Sequence, residues 1–567
     1  MQIVPVNVLW SRRGLGPVHI EPTGGRVSTQ GSGVYRAALY AGLGMGSIGL
    51  SCAGAAVAQA VEHNPPLPVA QPVLTPAEIV TGPILTAVVI PGDDGRISLA
   101  GLSFIGQPVS AAVIHRLEAA IDRKLVEDGR PALARFVAVP DAAPGVVTFS
   151  IAQARVGTVK MTGAPPADAR AIEADLGLKP GAMINRAETA GALDSLNRYP
   201  FRQVTTAFAP ETSAGIEDVA VTVTEQKPWQ FIAGFKYEGS SALTWQRAFA
   251  GLTVGNWLGQ DSVLAFQATA SPNDIDLYPE YRDYDLTYSK PVSRDGVVEA
   301  GIDVTDELFH YPPDDYWLIE VDGTLDYRRY PYDAAGQNIG DVRVGVEARH
   351  EHVRTIVAGA QTKDDSEEMY ELFAGYHRTL DMASAHDDID LSLHGSSGGV
   401  DPGNSDAHFV EYSGDRMRSA RYAYLDVTLD HAQALTTSLS WHSQVSAQLA
   451  SGPMPYYVQD ILGGVANVRG YFLYDGSADD ALIARNEWGR RPKSGGLAPD
   501  LFVFLDAGSG YDAQLHTTKT LASTGLGMTS ALTARAVLHV DVDHALCRGT
   551  VTPAGTNAVE ANLTYKY

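Results

Sequence analysis

From Trp229 to the C-terminus, apolar and polar residues alternate with a period of two, as they do in half-buried β-strands. The first such strand carries its apolar residues on one face, at Trp229, Phe231, Ala233, Phe235 and Tyr237. Segments of this kind follow one another through residues 228–567, each near the roughly 9–11 residues that a tilted strand needs to cross a bilayer. The pattern predicts a mainly β protein that contains a transmembrane β-barrel of about 16 strands.

The end of the chain supports this prediction. The last strand places an apolar face at Val559, Ala561, Leu563, Tyr565 and Tyr567. A C-terminal aromatic residue in register with such a face is typical of the closing strand of an outer-membrane barrel. Short turns such as Val292–Gly296 and long connections such as Gly395–Arg418 fit the two ends of a barrel. A soluble β-sandwich or propeller is the alternative, and it does not explain the aromatic C-terminus.

Two small α/β units are predicted before the barrel. Residues 83–156 contain an apolar run at Ile84–Ile90 and then a helix whose buried face is Val113, Leu117, Ile121 and Leu125. Residues 157–227 contain a strand, two helices and two further strands, with a capping box indicated by Asn185 and Glu188. This β-α-α-β-β order resembles that of a POTRA domain, so two such domains in tandem are expected.

The N-terminal region is predicted to be a leader. Residues 37–60 form a long Gly- and Ala-rich apolar run that ends in a small-x-small pattern, Ala58-Gln59-Ala60. We interpret residues 1–60 as an extended signal peptide and the Pro-rich residues 61–82 as a linker. An N-terminal membrane anchor and a lipoprotein attached at Cys52 are the alternatives, and the true start of translation stays open.

The composition and several short motifs limit the classes of function that are expected. The chain has 42 basic and 66 acidic residues, a net charge of −24, which argues against nucleic acid as a partner. Gly395–Gly399 matches the G-x-S-x-G pattern, but no helix is predicted after it, so a loop is expected there. His539, Asp541 and Asp543 share one strand face, as polar residues on a lumen wall do. The sequence therefore indicates no enzyme, no metal site and no cofactor.

Two short motifs carry a family resemblance. Val468-Arg469-Gly470-Tyr471 lies in a long connection between predicted strands, and Phe504, Asp506 and Gly508 lie on a later strand. Together they resemble the VRGY/F and FxDxG motifs of the BamA-type POTRA-barrel superfamily. The resemblance implies a loop folded back into the lumen, whose Arg469 pairs with Asp506 on the barrel wall. A buried arginine needs such a charged partner, and Gly470 permits the turn at the loop tip.

The junctions between predicted domains indicate one family within this superfamily. The second α/β unit ends its helices with Leu196, Asn197, Arg198, Tyr199, Pro200 and Phe201, and Trp229 begins the barrel. These junctions resemble those of the two-partner secretion transporters of the ShlB/FhaC type. Those transporters commonly begin with a helix that plugs the pore. The Pro-rich linker leaves no room for such a helix, so the inward loop is expected to obstruct the lumen by itself.

The resemblance implies a function. Two-partner secretion transporters lie in the outer membrane of Gram-negative bacteria, with their POTRA domains in the periplasm. They capture an unfolded exoprotein and secrete it through the barrel. The partners implied are such a TpsA-like client, outer-membrane lipid and the barrel assembly machinery during insertion. An assembly factor that inserts other barrels is the alternative within the superfamily, and a porin or barrel enzyme is the alternative outside it.

Overall fold

The computed structural model describes residues 83–90, 104–127, 132–137, 143–153, 155–164, 166–210, 216–238, 244–272, 280–311, 314–333, 337–382, 384–490 and 499–567. The predicted signal peptide, the linker and the expected lack of a plug helix fall outside these residues. The chain divides into two compact units, of which one includes residues 228–329 and 340–567 and the other includes residues 60–227 and 330–339. Within the described residues, no helix is both long and apolar enough to cross a membrane.

The first α/β sheet of the N-terminal unit has the strand order β1-β3-β2. Its elements are β1 (Ala87–Val89), α1 (Ala111–Glu127), β2 (Ala132–Val137) and β3 (Val146–Gln153). The four residues predicted for the buried face of α1 are 4% exposed or less, and they pack on Leu85, Val147 and Phe149. The i, i+4 spacing therefore identified the helix face that forms this core.

The second sheet, with the order β4-β6-β5, has the predicted β-α-α-β-β sequence of elements. They are β4 (Arg155–Thr162), α2 (Pro166–Leu176), α3 (Arg186–Asn197), β5 (Arg202–Pro210) and β6 (Ile216–Glu225). Asn185 caps α3, because its side chain accepts a hydrogen bond from the Glu188 amide at 3.2 Å. Ile172 and Leu176 of α2 pack with Val219 and Val221 of β6 in one buried cluster.

The prediction of a β-barrel of about 16 strands is confirmed. Sixteen antiparallel strands form one closed ring. They are β7 (Trp229–Tyr237), β8 (Gln246–Gly255), β9 (Val263–Ala270), β10 (Tyr281–Ser293), β11 (Gly296–Tyr311), β12 (Asp314–Arg329), β13 (Asp341–Val357), β14 (Ala360–Asp381), β15 (Ala385–Ser396), β16 (Tyr422–Ala434), β17 (Leu439–Ala450), β20 (Asp480–Arg490), β21 (Asp500–Asp512), β22 (Thr517–Ala531), β23 (Ala536–Ala545) and β24 (Asn557–Lys566). A short helix, α4 (Asp406–Tyr412), and two short strands, β18 (Asp460–Ile461) and β19 (Ser477–Ala478), lie in the connections.

We call the end of the barrel at which β7 begins the turn end, and the opposite end the loop end. Because successive strands are antiparallel, their connections alternate between the two ends. The β15–β16, β17–β20 and β21–β22 connections therefore all lie at the loop end. They follow strands β15, β17 and β21, which run in the same direction as β7.

Several strands are longer than the roughly 9–11 residues expected from the sequence, and four of them are the longest. Strands β11, β12, β13 and β14 have 16, 16, 17 and 22 residues. Charged residues such as Asp364, Asp365 and Glu368 interrupt the apolar alternation of β14, so the sequence pattern did not indicate its length. The strand nevertheless continues to pair with β13 from His377 to Ala360. Antiparallel pairing continues there because it requires backbone groups and not an apolar face.

The barrel has an apolar outer surface and a charged interior. Exposed apolar residues recur on the strands at Phe231, Phe235, Leu252, Phe266, Leu286, Ile302, Leu325, Val344, Leu393, Leu482, Leu505, Leu526, Val542 and Leu563. Buried charged residues alternate with them at Arg247, Asp283, Asp285, Glu307, Glu320, Glu347, Arg349, Glu371, Arg485, Asp506, Asp541 and Asp543. This alternation is that of a barrel with lipid outside and a polar lumen.

The seam between the first and last strands closes the ring. Strand β24 pairs with β7 from Ala561, opposite Tyr237, to Lys566, opposite Ile232. The indole of Trp229 stacks on the Tyr567 ring at 5.7 Å between centroids, and the Tyr567 amide donates to the Phe231 carbonyl at 2.9 Å. The C-terminal aromatic residue therefore stabilises closure through both its ring and its backbone.

Gly234 provides a test of this seam. A Cβ atom at this position would lie 2.3 Å from the Leu563 carbonyl oxygen and 2.3 Å from the Phe249 ring. Gly234→Val should therefore cost about 1–3 kcal/mol and lower the temperature at which the folded barrel unfolds in heat-modifiability electrophoresis. Ala233→Val, whose side chain lies on the apolar face, is the control. Equal unfolding temperatures for the two variants would contradict the prediction.

Candidate functional site

The β17–β20 connection, residues 451–479, folds into the barrel. We call its tip, residues 462–476, the lumen loop. Strands β18 and β19 pair with each other at its base, through Asp460 with Ala478 and Ile461 with Ser477. Within it, Leu462, Val468 and Tyr471 are 3% exposed or less, and they cluster with four residues of the wall strands. These four are Ala481, Ile483, Leu521 and Ala545. The loop is therefore packed against the wall and fixed in position.

Arg469 lies at the centre of this contact. Its Nε and Nη2 atoms donate to the two oxygens of Asp506 at 2.7 and 2.9 Å, which is a bidentate pair. Its Nη1 donates to Glu487 at 2.7 Å and lies 3.6 Å from Asp541. The guanidinium stacks 3.7 Å above the Phe504 ring. The wall strands β20, β21 and β23 thus each contribute a carboxylate to one loop cation.

Burial and charge oppose each other at this position. The side chains of Arg469 and Asp506 are 1% and 0% exposed. Burial alone disfavours the charged guanidinium, but the Asp506 carboxylate more than offsets it, so the pKa of Arg469 lies above its ordinary value. Removing either partner would leave a buried charge without its main counter-charge.

The residues beside Arg469 make this geometry possible. Gly470 has φ +78°, and a Cβ atom there would lie 2.8 Å from the Asp543 side chain. A Cβ atom at Gly508 would lie 3.0 Å from the Val468 side chain. The Tyr471 hydroxyl donates to the Ala522 carbonyl at 2.7 Å and accepts from the Cys547 amide at 2.9 Å. All seven predicted loop and wall residues therefore lie in one buried contact.

Part of the barrel matches a known protein family. The model of the haemolysin secretion/activation protein family ShlB/FhaC/HecB matches residues 337–530, a segment that includes both Arg469 and Asp506. For residues 337–530, the predicted resemblance to this family is confirmed. No curated protein matches the chain.

Two solved structures have a similar fold over most of this chain, and not only over residues 337–530. CdiB from Escherichia coli has a TM-score of 0.67 at 16% identity, over 87% of this chain and 93% of that chain. CdiB from Acinetobacter baumannii has a TM-score of 0.60 at 13% identity, over 87% of this chain and 91% of that chain. At these identities the likeness shows the fold alone.

Several residues of the ShlB/FhaC/HecB-like site were not predicted. Arg485 donates to the Ala466 carbonyl of the lumen loop at 2.8 Å, and Glu487 accepts from Arg469. Asp475 accepts from the amides of Val551 and Thr552 at 2.6 and 2.8 Å, which ties the loop to the β23–β24 connection. Arg485 and Glu487 share the inward face of β20, and this alternation was the available signal for them. Asp475 had no such signal.

The predicted junction residues from Leu196 to Phe201 lie in the N-terminal compact unit, whereas Trp229 begins β7 of the barrel. Leu196, Tyr199 and Phe201 are buried, Pro200 is half-buried, and the rings of Tyr199 and Phe201 meet edge to face at 5.6 Å. Asn197 accepts from the Val204 amide at 2.6 Å and donates to its carbonyl at 3.0 Å. This segment therefore folds as a compact turn of the second α/β sheet.

Arg198 links this turn to residues 330–339 within the same unit. Its Nη1 donates to the Tyr332 hydroxyl at 2.7 Å and lies 2.9 Å from Asp194. The Tyr332 hydroxyl donates in turn to Asp194 at 2.6 Å, and the Arg198 guanidinium stacks 4.1 Å from the Tyr330 ring. Burial and the hydrogen bond to Asp194 raise the pKa of Tyr332 to about 12.

Two groups could suggest a metal ion, and both have protein partners. His539 lies 2.9 Å from Asp541, which faces Arg469. Among the described residues, Glu347, Glu371 and His394 also lie close enough together to hold an ion. However, Glu347 accepts from Arg349 at 3.0 Å, and Glu371 accepts from Tyr422 and Tyr424 at 2.8 and 3.0 Å. These contacts give the carboxylate oxygens hydrogen-bond partners within the protein.

In the G-x-S-x-G segment, Gly395 and Ser396 end β15, and residues 397–399 form a loop. The helix α4 begins only at Asp406, so it does not directly follow the segment as the nucleophile-elbow pattern requires. Its N-cap is Ser405, whose hydroxyl accepts from the His408 amide at 3.3 Å. The Ser397 side chain is exposed and donates to the Gly398 carbonyl at 3.3 Å.

Arg469→Lys tests whether the bidentate geometry holds the lumen loop, because lysine keeps the charge but lacks the planar fork. We expect this substitution to destabilise the docked lumen loop by about 2 kcal/mol, which raises the undocked fraction approximately 30-fold. Hydrogen–deuterium exchange of residues 462–476 measures this fraction. Arg490→Lys, at an exposed position of β20, is the matched control. Unchanged exchange in Arg469→Lys would contradict a role for the fork.

Proposed function

We propose that this chain is an outer-membrane pore that exports an unfolded client protein through its barrel. The main support for this proposal is the lumen loop, because Arg469 docks it on the barrel wall through charges that can separate and pair again. The match of residues 337–530 to a haemolysin secretion/activation family supports the same function. The closed barrel with its apolar outer surface supports a location in outer-membrane lipid, reached with the help of the barrel assembly machinery.

The α/β sheets are the proposed capture site for the client, a secreted exoprotein of the TpsA type. With these sheets in the periplasm, an incoming unfolded segment can add as a further strand to an exposed sheet edge. Strands β4 and β5 are the edges of the second sheet. The Asn197 amide group already occupies the backbone groups of Val204 on β5. Pairing at β5 is therefore proposed for the residues beyond Val204. At β4 it is proposed for the residues from Val159 to Thr162, because the Val156 amide and carbonyl already bond to Ala182 and Gly181, and the Thr158 amide donates to Asp218.

Export should depend on the loop contact. Arg469→Ala and Asp506→Ala should each reduce secretion of the client at least about tenfold while the barrel stays folded, because each leaves a buried charge. The double variant should lose no more than either single variant, since both remove one interaction. Secreted client is measured in the medium and folded barrel by heat-modifiability. Arg421→Ala, at an exposed loop position, is the control.

Independent effects of Arg469→Ala and Asp506→Ala on secretion would show that the two residues do not act as a pair. Wild-type secretion in both variants would remove the lumen loop from the export mechanism.

Client capture can be measured directly. Residues 83–227 should bind an unfolded N-terminal segment of the client and lose that binding when the segment is folded beforehand, because a folded segment has no free strand to add. Equilibrium titration of both forms against the fragment measures the difference, with circular dichroism as the control for folding of the fragment. Equal affinity for both forms, or binding of unfolded barrel proteins alone, would favour the assembly-factor function.

A further inference from the structure

The largest buried apolar cluster among the described residues lies inside the barrel at its loop end. The wall strands contribute Tyr281, Phe309, Tyr316, Leu318, Val353, Met369, Tyr422 and Tyr424. The β15–β16 connection contributes Phe409, Tyr412, Met417 and Ala420, and the β17–β20 connection contributes Met454, Tyr457, Val458 and Ile461. We call these sixteen residues the loop-end core.

This core is unexpected, because inward-facing residues of a water-filled barrel are usually polar. Apolar side chains on the wall are stable there only if other apolar groups cover them. The two connections supply that cover. The β15–β16 connection, predicted to be a long loop, instead packs inward, with Phe409 and Tyr412 both 0% exposed. The lumen loop is therefore not the only obstruction, contrary to the expectation from the sequence.

Arg416 joins the parts of this closure. Its Nη2 donates to Asp479 at 2.6 Å, its Nε donates to the Met454 carbonyl at 2.8 Å, and its Nη1 donates to Asp512 at 2.9 Å. Arg416 belongs to the β15–β16 connection, Met454 and Asp479 lie near the two ends of the β17–β20 connection, and Asp512 ends β21. One side chain thus links two loop-end connections to each other and to the end of β21.

The Arg416 contact is deeply buried. The side chains of Arg416 and Asp479 are both 0% exposed. Burial disfavours the charge, yet Asp479 and Asp512 offset it, and the pKa of Arg416 is raised above its ordinary value. Asp479 also accepts from the Met454 and Ala513 amides at 2.8 and 2.7 Å. If the pair of Arg416 and Asp479 breaks, each charge needs water, which favours movement of the β15–β16 connection out of its buried position.

We propose that Arg416 is a positioning residue that holds the pore closed at its loop end. It fixes the β15–β16 connection over the loop-end core, and it must release Asp479 before a polypeptide passes. This proposal rests on the proposed export function, but it concerns a contact separate from Arg469. The partners of Arg469 are on the wall, whereas Arg416 joins connection to connection.

The test is ion conductance of the purified full chain in planar lipid bilayers, which requires no client. Arg416→Ala should raise the open probability at least about tenfold, because closure loses a buried ion pair. Arg416→Lys should restore part of the closure, since it keeps the charge but not all three bonds. Arg418→Ala removes the same charge from an exposed position of the same connection and should behave as wild type.

Heat-modifiability separates gating from general destabilisation. A gating role predicts increased conductance in Arg416→Ala with the barrel unfolding temperature unchanged, whereas a merely structural role lowers that temperature. If Arg416→Ala does not fold, Asp479→Asn carries the test, because it removes the charge at nearly constant volume. A folded variant of either kind with wild-type open probability would overturn the proposal. If Arg416→Ala increases conductance but the wild-type chain secretes no client, the proposed export function is wrong and the proposed gate still stands.

Discussion

Every backbone amide and carbonyl in the hydrocarbon region of a membrane must have a partner within the protein, and this constraint underlies the rest of the structure. An array of strands meets it only by closing, so β24 must pair with β7. Closure in turn creates an enclosed lumen. The inward faces of sixteen strands then carry charges that no lipid can solvate and that need partners or water.

The lumen meets this second requirement with loops. Arg469 brings one positive charge to carboxylates on β20, β21 and β23, and it brings apolar residues of the lumen loop onto Ile483 and Leu521. The same contact that compensates the wall charges therefore also fills the barrel. An ion pair that is exposed to water can dissociate at little cost in free energy. The lumen loop is therefore stable while it is docked and buried, and it can still leave the lumen once water reaches the pair.

The fold was largely predictable because the side-chain periods of helices and strands are local. The i, i+4 spacing from Val113 to Leu125 and the alternation from Trp229 to Tyr237 both survive in the structure. Arg469 and Asp506 could be named only through motif resemblance. The length of β14 was not predicted, since charged residues such as Asp364 and Glu368 interrupt its apolar alternation although the strand still pairs with β13. The loop-end core was missed because apolar residues in a long connection, such as Phe409 and Tyr412, have no period that indicates burial.

Arg469 and Arg416 are both buried and contact the β17–β20 connection at different places, and this determines how the connection can move. Arg469 holds the tip of the β17–β20 connection to the wall, whereas Arg416 holds both of its ends, at Met454 and Asp479. A loop anchored at its base can release its tip without clearing the lumen, because the chain beyond each anchor stays fixed. Full displacement therefore requires both contacts to break. Arg416 and Asp479 are 63 residues apart in sequence, so their pairing depends on the closed ring that brings the connections together.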